Sequence, residues 1–215
     1  LPVSMVWTVW AMRVMSWLMN TRSSRIGGRL RTWSVIAVTA AAMVVALTVG
    51  LGLGILAAIR PHSLLDAFTM SIAMAGVSFP SFWVGLMLLL IFSLALGWLP
   101  ATGTEGIERL IMPAATLGFG AAAIIARLTR SSLLEVLQQQ YIVTARAKGL
   151  SFVKVVFRHA LRNALIPVVT IVGLQFGNLL AGAVVIETVF SRQGIGRLLV
   201  TAILGRDFPL VQGVI

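Results

Sequence analysis

Residues 141–167, YIVTARAKGLSFVKVVFRHALRNALIP, form the most elaborate polar segment of the chain and lie between two apolar runs. The segment carries six basic or imidazole side chains: Arg146, Lys148, Lys154, Arg158, His159 and Arg162. Residues 110–126 before it and 163–186 at its end contain no charged side chain. A helix of roughly 20 apolar residues crosses a bilayer. The segment is therefore expected to be a loop between two membrane-spanning helices.

The composition of the whole chain agrees with a membrane protein. Of its 215 residues, 59% are hydrophobic and 11% are charged, whereas a soluble domain has about 25% charged residues. The chain has no cysteine, which excludes disulfides, thiolate metal sites and cysteine nucleophiles. Its net charge of +11 favours anionic lipid headgroups as partners, and we expect no nucleic acid to bind.

Four uncharged stretches are expected to cross the membrane as helices, because a lipid-exposed backbone must satisfy its own hydrogen bonds. They are residues 32–59, a helix near 70–97, 110–126 and 163–186. Pro80 and Pro167 are expected to kink these helices, with a gating hinge as the alternative. The glycines of GLGLG (residues 50–54) and GLQFG (173–177) supply small residues where helices approach closely. The predicted fold is all-α, a polytopic transmembrane helical bundle, with terminal helices expected to be missing.

The first 31 residues differ from the rest of the chain. They contain Trp7, Trp10 and Trp17, and tryptophan prefers the membrane interface. We expect residues 1–31 to lie on the membrane as an interfacial segment rather than to span it, and residues 32–215 to form the membrane domain. Basic residues are almost equally numerous on the two faces, so charge does not decide the orientation.

Within residues 131–162 the sequence predicts two helices joined by a glycine. Ser132 and Glu135 fit a capping box at the start of the first helix, and Gly149 fits a left-handed cap at its end. Ser151 is expected to cap the second helix. Its basic face is formed by residues four apart, namely Lys154, Arg158 and Arg162.

Three interpretations of this hairpin compete. A DNA-binding helix-turn-helix is disfavoured because membrane spans flank it on both sides. A basic amphipathic hairpin could rest on lipid headgroups. A docking element for a cytosolic partner would instead turn residues 141–150 outward.

Four motifs resemble segments of one transporter family. They are ARAKG (residues 145–149), RHALRNALIP (158–167), VSFPSFWVGL (77–86) and ETVFSRQGIGRLLVTAILGRDFPLVQG (187–213). Their order and spacing resemble permeases of ABC importers of the dipeptide/oligopeptide/nickel class. The resemblance runs from about residue 32 to the end.

The resemblance implies the type I ABC importer permease fold, in the cytoplasmic (inner) membrane, with residues 131–162 as a cytoplasmic coupling loop. Residues 1–31 would then be external. The implied docking residues for an ATP-binding subunit are Tyr141, Thr144, Ala145, Arg146, Ala147, Lys148, Gly149 and Leu150. The basic face would contact lipid or partner.

The implied partners are a homologous second permease subunit, two cytosolic ATP-binding subunits, an extracytoplasmic solute-binding protein and membrane lipids. The implied substrates are di- or oligopeptides, with nickel or glutathione-like solutes as alternatives. A membrane-anchored scaffold with a lipid-binding hairpin is the remote alternative.

The sequence does not predict an enzyme. A phosphate-binding loop needs G-x-x-x-x-G-K-[ST], and neither lysine of the chain follows a glycine. ATP and magnesium are therefore expected in partner subunits, with no cofactor or metal bound by this chain. No paired carboxylates or metal motif support an intramembrane protease, and spans without charge argue against a proton-coupled carrier.

Three residues are candidates for a gate or a path. Pro80 and Pro167 interrupt spans, and Glu187 is the one acid that abuts a span. An ionisable residue at membrane depth is a functional candidate by default. An interface position or helix-end contact is the favoured interpretation for Glu187, and a substrate contact is the alternative.

Overall fold

The computed structural model describes residues 25–103, 106–192 and 194–214, and these residues form helices joined by short turns. Residues 1–24 of the predicted interfacial segment lie outside the described residues. The helices are α1 (Arg25–Ile59), α2 (Leu64–Ser78), α3 (Ser81–Ala95), α4 (Glu108–Leu137), α5 (Gln140–Ala147), α6 (Phe152–Val189), α7 (Ile195–Leu204) and α8 (Phe208–Val214). Helix α3 ends in π-helical geometry over Leu89–Ala95, and α6 contains a π-helical segment at Val155–Ala160.

Three helices are long and apolar enough to cross a membrane by themselves: Val35–Ile59 within α1, α4 and α6. Helices α2 and α3 form a pair bent by 108°. Their contacts advance along α4 from its end towards its start. Asp66 bonds Arg130, Gly76 faces Ala123, and Gly85 faces Thr116. The bent pair therefore runs along the length of α4 as one broken span. By length and composition the described residues therefore provide three crossings, and a fourth when the bent pair is counted as one.

The prediction of one helix near residues 70–97 is wrong, because the chain breaks at Pro80. Proline disfavours helical geometry in the residue before it, and Phe79 is extended at φ −81° and ψ 132°. Pro80 is extended as well, and α3 begins at Ser81. The break replaces the expected kink.

Two further boundaries differ from prediction. Helix α1 begins at Arg25 rather than residue 32, so its first turns include part of the segment expected to be external. Helix α4 continues to Leu137, well past residue 126. The capping box at Ser132 is therefore wrong, because Ser132 lies inside α4 and its Oγ donates to the carbonyl of Ala164 at 2.9 Å.

Helix α4 is the centre of the bundle and the most buried of the three long spans. It runs parallel to α1, since Gly50 lies against Ala122 and Gly54 against Ala126. Helix α6 runs antiparallel to α4, from the Ser132–Ala164 contact to a contact between Gly182 and Leu117. We call the end where α4 and α6 meet α5 the loop end of the bundle.

Glycine-mediated packing is confirmed for one of the two predicted motifs. A Cβ on Gly54 would lie 2.6 Å from the carbonyl oxygen of Ala126, and one on Gly50 would lie 2.8 Å from that of Ala122. Gly173 and Gly177 on α6, in contrast, have no neighbour within 4 Å of such a Cβ among the described residues. The second motif therefore does not pack in this part of the chain.

Candidate functional site

The chain turns sharply at Gly149, between α5 and α6. Gly149 has φ +77°, the left-handed conformation that glycine adopts without steric cost. The Leu150 amide donates to the Ala145 carbonyl at 3.4 Å, and the Gly149 amide donates to the Arg146 carbonyl at 2.9 Å. These two bonds are those of a Schellman cap. The predicted left-handed end of the helix is confirmed.

The inner side of α5 is packed against the bundle. Ile142 is fully buried and Ala145 is 8% exposed. They belong to an apolar cluster of Ala58, Leu133, Ile142, Ala145, Val155, Ala160 and Ala164, with Leu150 partly buried against it. These residues come from α1, α4, α5 and α6, and α5 itself lies mainly against the π-helical start of α6. Ala145, predicted as a docking contact, is a core residue whose side chain does not reach the surface.

The outer side of α5 is exposed. We define the α5 outer face as Tyr141, Val143, Thr144, Arg146, Ala147 and Lys148, all of which are exposed. Val143 was not among the named docking residues, and it is 54% exposed on this face. The Tyr141 hydroxyl accepts a hydrogen bond from Asn163 Nδ2 at 2.7 Å, which ties this face to α6. The face carries two basic side chains, Arg146 and Lys148, between smaller side chains, and the aromatic ring of Tyr141 lies at its edge.

The start of α6 carries the predicted basic face. Lys154, Arg158 and Arg162 are all exposed, although π-helical geometry at Val155–Ala160 replaces the regular four-residue spacing. Ser151 precedes the helix in an extended conformation, but its side chain makes no capping hydrogen bond. The N-cap position predicted for Ser151 is confirmed, but its side chain does not form the capping bond. The helix start is stabilised instead by burial of Val155 and Val156.

A buried ion pair near the loop end was not predicted. Asp66, in the first turn of α2, is 4% exposed. Arg130 on α4 donates from Nε to Oδ1 at 2.5 Å and from its terminal nitrogen to Oδ2 at 2.7 Å. The His62 amide also donates to Oδ2, at 3.0 Å, and Ser63 Oγ accepts from the Asp66 amide. We call these two side chains the Asp66–Arg130 pair. Its members are 64 residues apart in sequence, so no local pattern indicates it.

The three candidate gate or path residues lie on different elements. Pro80 is exposed at the break between α2 and α3, and Pro167 is exposed inside α6. Glu187 is 5% exposed and its Oε2 accepts from the Arg197 amide at 3.0 Å, in the first turn of α7. A Cβ on Gly194 would overlap the Glu187 carboxylate. Glu187 thus makes a helix-end contact between α6 and α7, and the structure does not bring the three residues together.

Arg192 holds together the end of the bundle opposite the loop. Its side chain is 3% exposed, and its terminal nitrogen donates to the carbonyls of Gly103 and Arg109 at 3.1 and 3.0 Å. Burial lowers the pKa of the Arg192 guanidinium, and the charge of Glu187 opposes that shift. The residue therefore anchors the turn after α6 to the start of α4.

Comparison with known proteins gives a family. Residues 50–215 match the family described as binding-protein-dependent transport system inner membrane component. The chain is 48% identical over 174 residues to the glutathione transport system permease protein GsiC of Escherichia coli (strain K12), covering 81% of this chain and 57% of that protein. It is 48% identical over 200 residues to the di/tripeptide transport system permease protein DppB of Pseudomonas aeruginosa (strain UCBPP-PA14), covering 80% and 60%. The chain thus spans less than two thirds of the length of these relatives.

The fold also matches a solved structure. The methionine ABC transporter MetNI, in inward-facing conformations, superposes with a TM-score of 0.71 at 21% identity, covering 86% of this chain and 84% of that one. The apolar crossings and the family match agree on a multi-pass protein of the inner membrane. The chain belongs to the family of binding-protein-dependent transport system inner membrane components, and it has the fold of a type I ABC importer permease.

Proposed function

We propose that this chain is the membrane-spanning permease subunit of an ATP-driven importer. It works as a pair with a like subunit, receives solute from an extracytoplasmic solute-binding protein, and is driven by two cytosolic ATP-binding subunits. The chain itself catalyses no reaction and binds no cofactor, because ATP and magnesium belong to those partner subunits. The observation that supports the proposal is the burial of the inner side of α5 in an apolar cluster that it shares with the ends of α1, α4 and α6.

The packing of α5 suits the transmission of force. A helix whose inner side is buried in a close-packed cluster cannot move without displacing the helices beneath it. A partner that pushes on the α5 outer face would therefore shift the start of α6 first, and would act on α1 and α4 through the cluster that they share with it. Such a shift switches a two-state bundle when the partner binds its own ligand, here ATP.

The same packing disfavours the lipid-binding hairpin. An interfacial helix buries its apolar side in the acyl boundary. In α5 the apolar residue Ile142 is already buried within the chain, and the exposed side mixes Arg146 and Lys148 with Tyr141 and Val143. A face of mixed polarity matches a protein partner better than it matches the acyl boundary of a lipid layer.

For the substrate we propose di- or oligopeptides. The relatives that support this are named for glutathione and for di- and tripeptides, which are all short peptides. Glutathione-like solutes and nickel remain the alternatives for the same architecture. Transport of any of these solutes would depend on the same loop between α4 and α6. The first experiment therefore tests that loop and does not depend on the identity of the substrate.

Replacing Gly149 with valine is expected to reduce capture of the ATP-binding subunit by about tenfold. A β-branched residue at φ +77° is strained by about 1–2 kcal/mol, and relief of that strain moves α5 away from its docking position. A shift of about 1.4 kcal/mol corresponds to a factor of ten. The measurement is co-purification of the complex, followed by uptake of a labelled dipeptide into vesicles, with glutathione and nickel as competitors.

The matched control is Gly97→Val. Gly97 has φ +65° and open space around its Cβ position, as Gly149 does, but it lies far from α5. This variant should capture the ATP-binding subunit as the unaltered chain does. Unchanged capture by the Gly149→Val chain would contradict docking through this loop.

A further inference from the structure

The Asp66–Arg130 pair joins the broken span to the central helix close to the loop. Arg130 lies two turns before the end of α4, and Asp66 lies in the first turn of α2. We propose that this pair is the link through which movement of α5 reaches the bent crossing formed by α2 and α3. Asp66 and Arg130 are then positioning residues for transport, and the inference rests on the proposed function.

The geometry of the pair is directional. Two parallel hydrogen bonds between a guanidinium and a carboxylate fix both distance and orientation. The remaining contacts of α2 and α3 with α4 are of another kind, such as Gly76 against Ala123 and Gly85 against Thr116. These van der Waals contacts fix orientation less strictly than the two hydrogen bonds of the pair do. Within the described part of the chain, no other side-chain hydrogen bond joins α2 or α3 to α4.

Stability alone does not account for a buried charge pair at this position. Well-packed apolar residues of similar size are often as stabilising as a buried ion pair, or more so. The Asp66 carboxylate also accepts a hydrogen bond from the backbone amide of His62. The same carboxylate therefore holds the turn between α1 and α2. These features fit a joint that must keep its register while the bundle moves.

A second polar tie lies next to the pair. Ser132 Oγ donates to the Ala164 carbonyl, which binds α4 to α6 two residues beyond Arg130. At this level α2, α4 and α6 are therefore joined by hydrogen bonds directly below the cluster that seats α5. At its other end α2 meets the 108° bend at Pro80. A displacement of α5 that moves the start of α6 would thus reach α4 through the Ser132–Ala164 bond and the base of α2 through the Asp66–Arg130 pair.

The test compares two double variants in the complete complex with its ATP-binding subunits and solute-binding protein. Asp66→Leu with Arg130→Met removes the charges and keeps apolar volume, whereas Asp66→Arg with Arg130→Asp exchanges them. The readouts are the amount of assembled complex and the number of ATP molecules hydrolysed per solute imported. We expect the apolar variant to assemble but to raise that ratio by about tenfold, within the usual range of coupling effects, and the exchanged variant to recover part of the loss.

Two further variants keep the test decisive if the exchanged chain does not fold. Arg130→Lys keeps the charge without the two-pronged geometry and should give an intermediate ratio. Arg127→Met, at an exposed arginine on the same helix, should leave the ratio unchanged. An apolar double variant with the ratio of the unaltered chain, or an equal rise in Arg127→Met, would overturn the inference. Failure of the unaltered chain to capture ATP-binding subunits would instead overturn the proposed function.

Discussion

Replacing Gly54 with alanine is expected to destabilise the bundle by about 1–3 kcal/mol, the usual cost of overpacking a close contact. The added Cβ would lie 2.6 Å from the Ala126 carbonyl oxygen and 2.7 Å from Thr129 Cβ. Neither neighbour is the flexible end of a side chain, so α1 and α4 must move apart. In a membrane, where close van der Waals packing drives helix association, that separation weakens the main helix pair of the fold.

The matched control for Gly54 lies on the same helix, at Gly52. A Cβ on Gly52 would have nothing within 4 Å, so Gly52→Ala adds no contact and gains about 0.5–1 kcal/mol of helix preference. The two variants should therefore shift the unfolding temperature in detergent micelles in opposite directions. Equal shifts for both would contradict the packing of α1 on α4 described above.

Replacing Arg130 with alanine is expected to cost about 3 kcal/mol of folding free energy, because removal of one partner leaves the other charge buried and unpaired. Such a loss typically costs about 3–5 kcal/mol. Asp66 is almost fully buried, whereas the Arg130 side chain is 24% exposed, so the lower end of that range applies. Unfolding in detergent at increasing denaturant measures the loss.

Arg127→Ala is the comparison for this variant. Arg127 is exposed and lies on the same helix, and its replacement should change stability by less than about 0.5 kcal/mol. The apolar double variant at Asp66 and Arg130 should be close to the unaltered chain in stability, since no charge is left unpaired. A double variant as unstable as Arg130→Ala would show that the loss comes from packing, not from the uncompensated carboxylate.

Sequence reasoning predicted the crossings from their lack of charge, but not their shapes. The run of residues 67–104 is uncharged throughout, so composition gave no reason to divide it. The break at Pro80 depends on two consecutive extended residues, Phe79 and Pro80. Proline alone is compatible with both a kinked helix and a broken one, and tertiary contacts along α4 decide between them.

The loop shows the same division between local and non-local information. Gly149 was predictable because its left-handed conformation belongs to the residue type. Ser132 and Glu135 fit a capping box by type as well, yet Ser132 lies inside α4 and its hydroxyl bonds a carbonyl on α6. The inward position of Ala145 and the Asp66–Arg130 pair both depend on helices distant in sequence. Local sequence patterns therefore predicted the turn at Gly149. The contacts that α5 makes with the rest of the bundle are visible only in the packed structure.

The most direct test of the account is the side of the membrane on which the α5 outer face lies. The chain has no cysteine, so Lys148→Cys introduces a single thiol on that face, and Trp98→Cys introduces one at the opposite end of the bundle. A membrane-impermeant maleimide, applied to right-side-out and inside-out vesicles, reports each side separately. We predict that the Lys148→Cys chain is labelled from the cytosolic side alone and is protected by the ATP-binding subunit, while the Trp98→Cys chain is labelled from outside. Labelling of the Lys148→Cys chain from the outer side, or no protection by that subunit, would contradict the account.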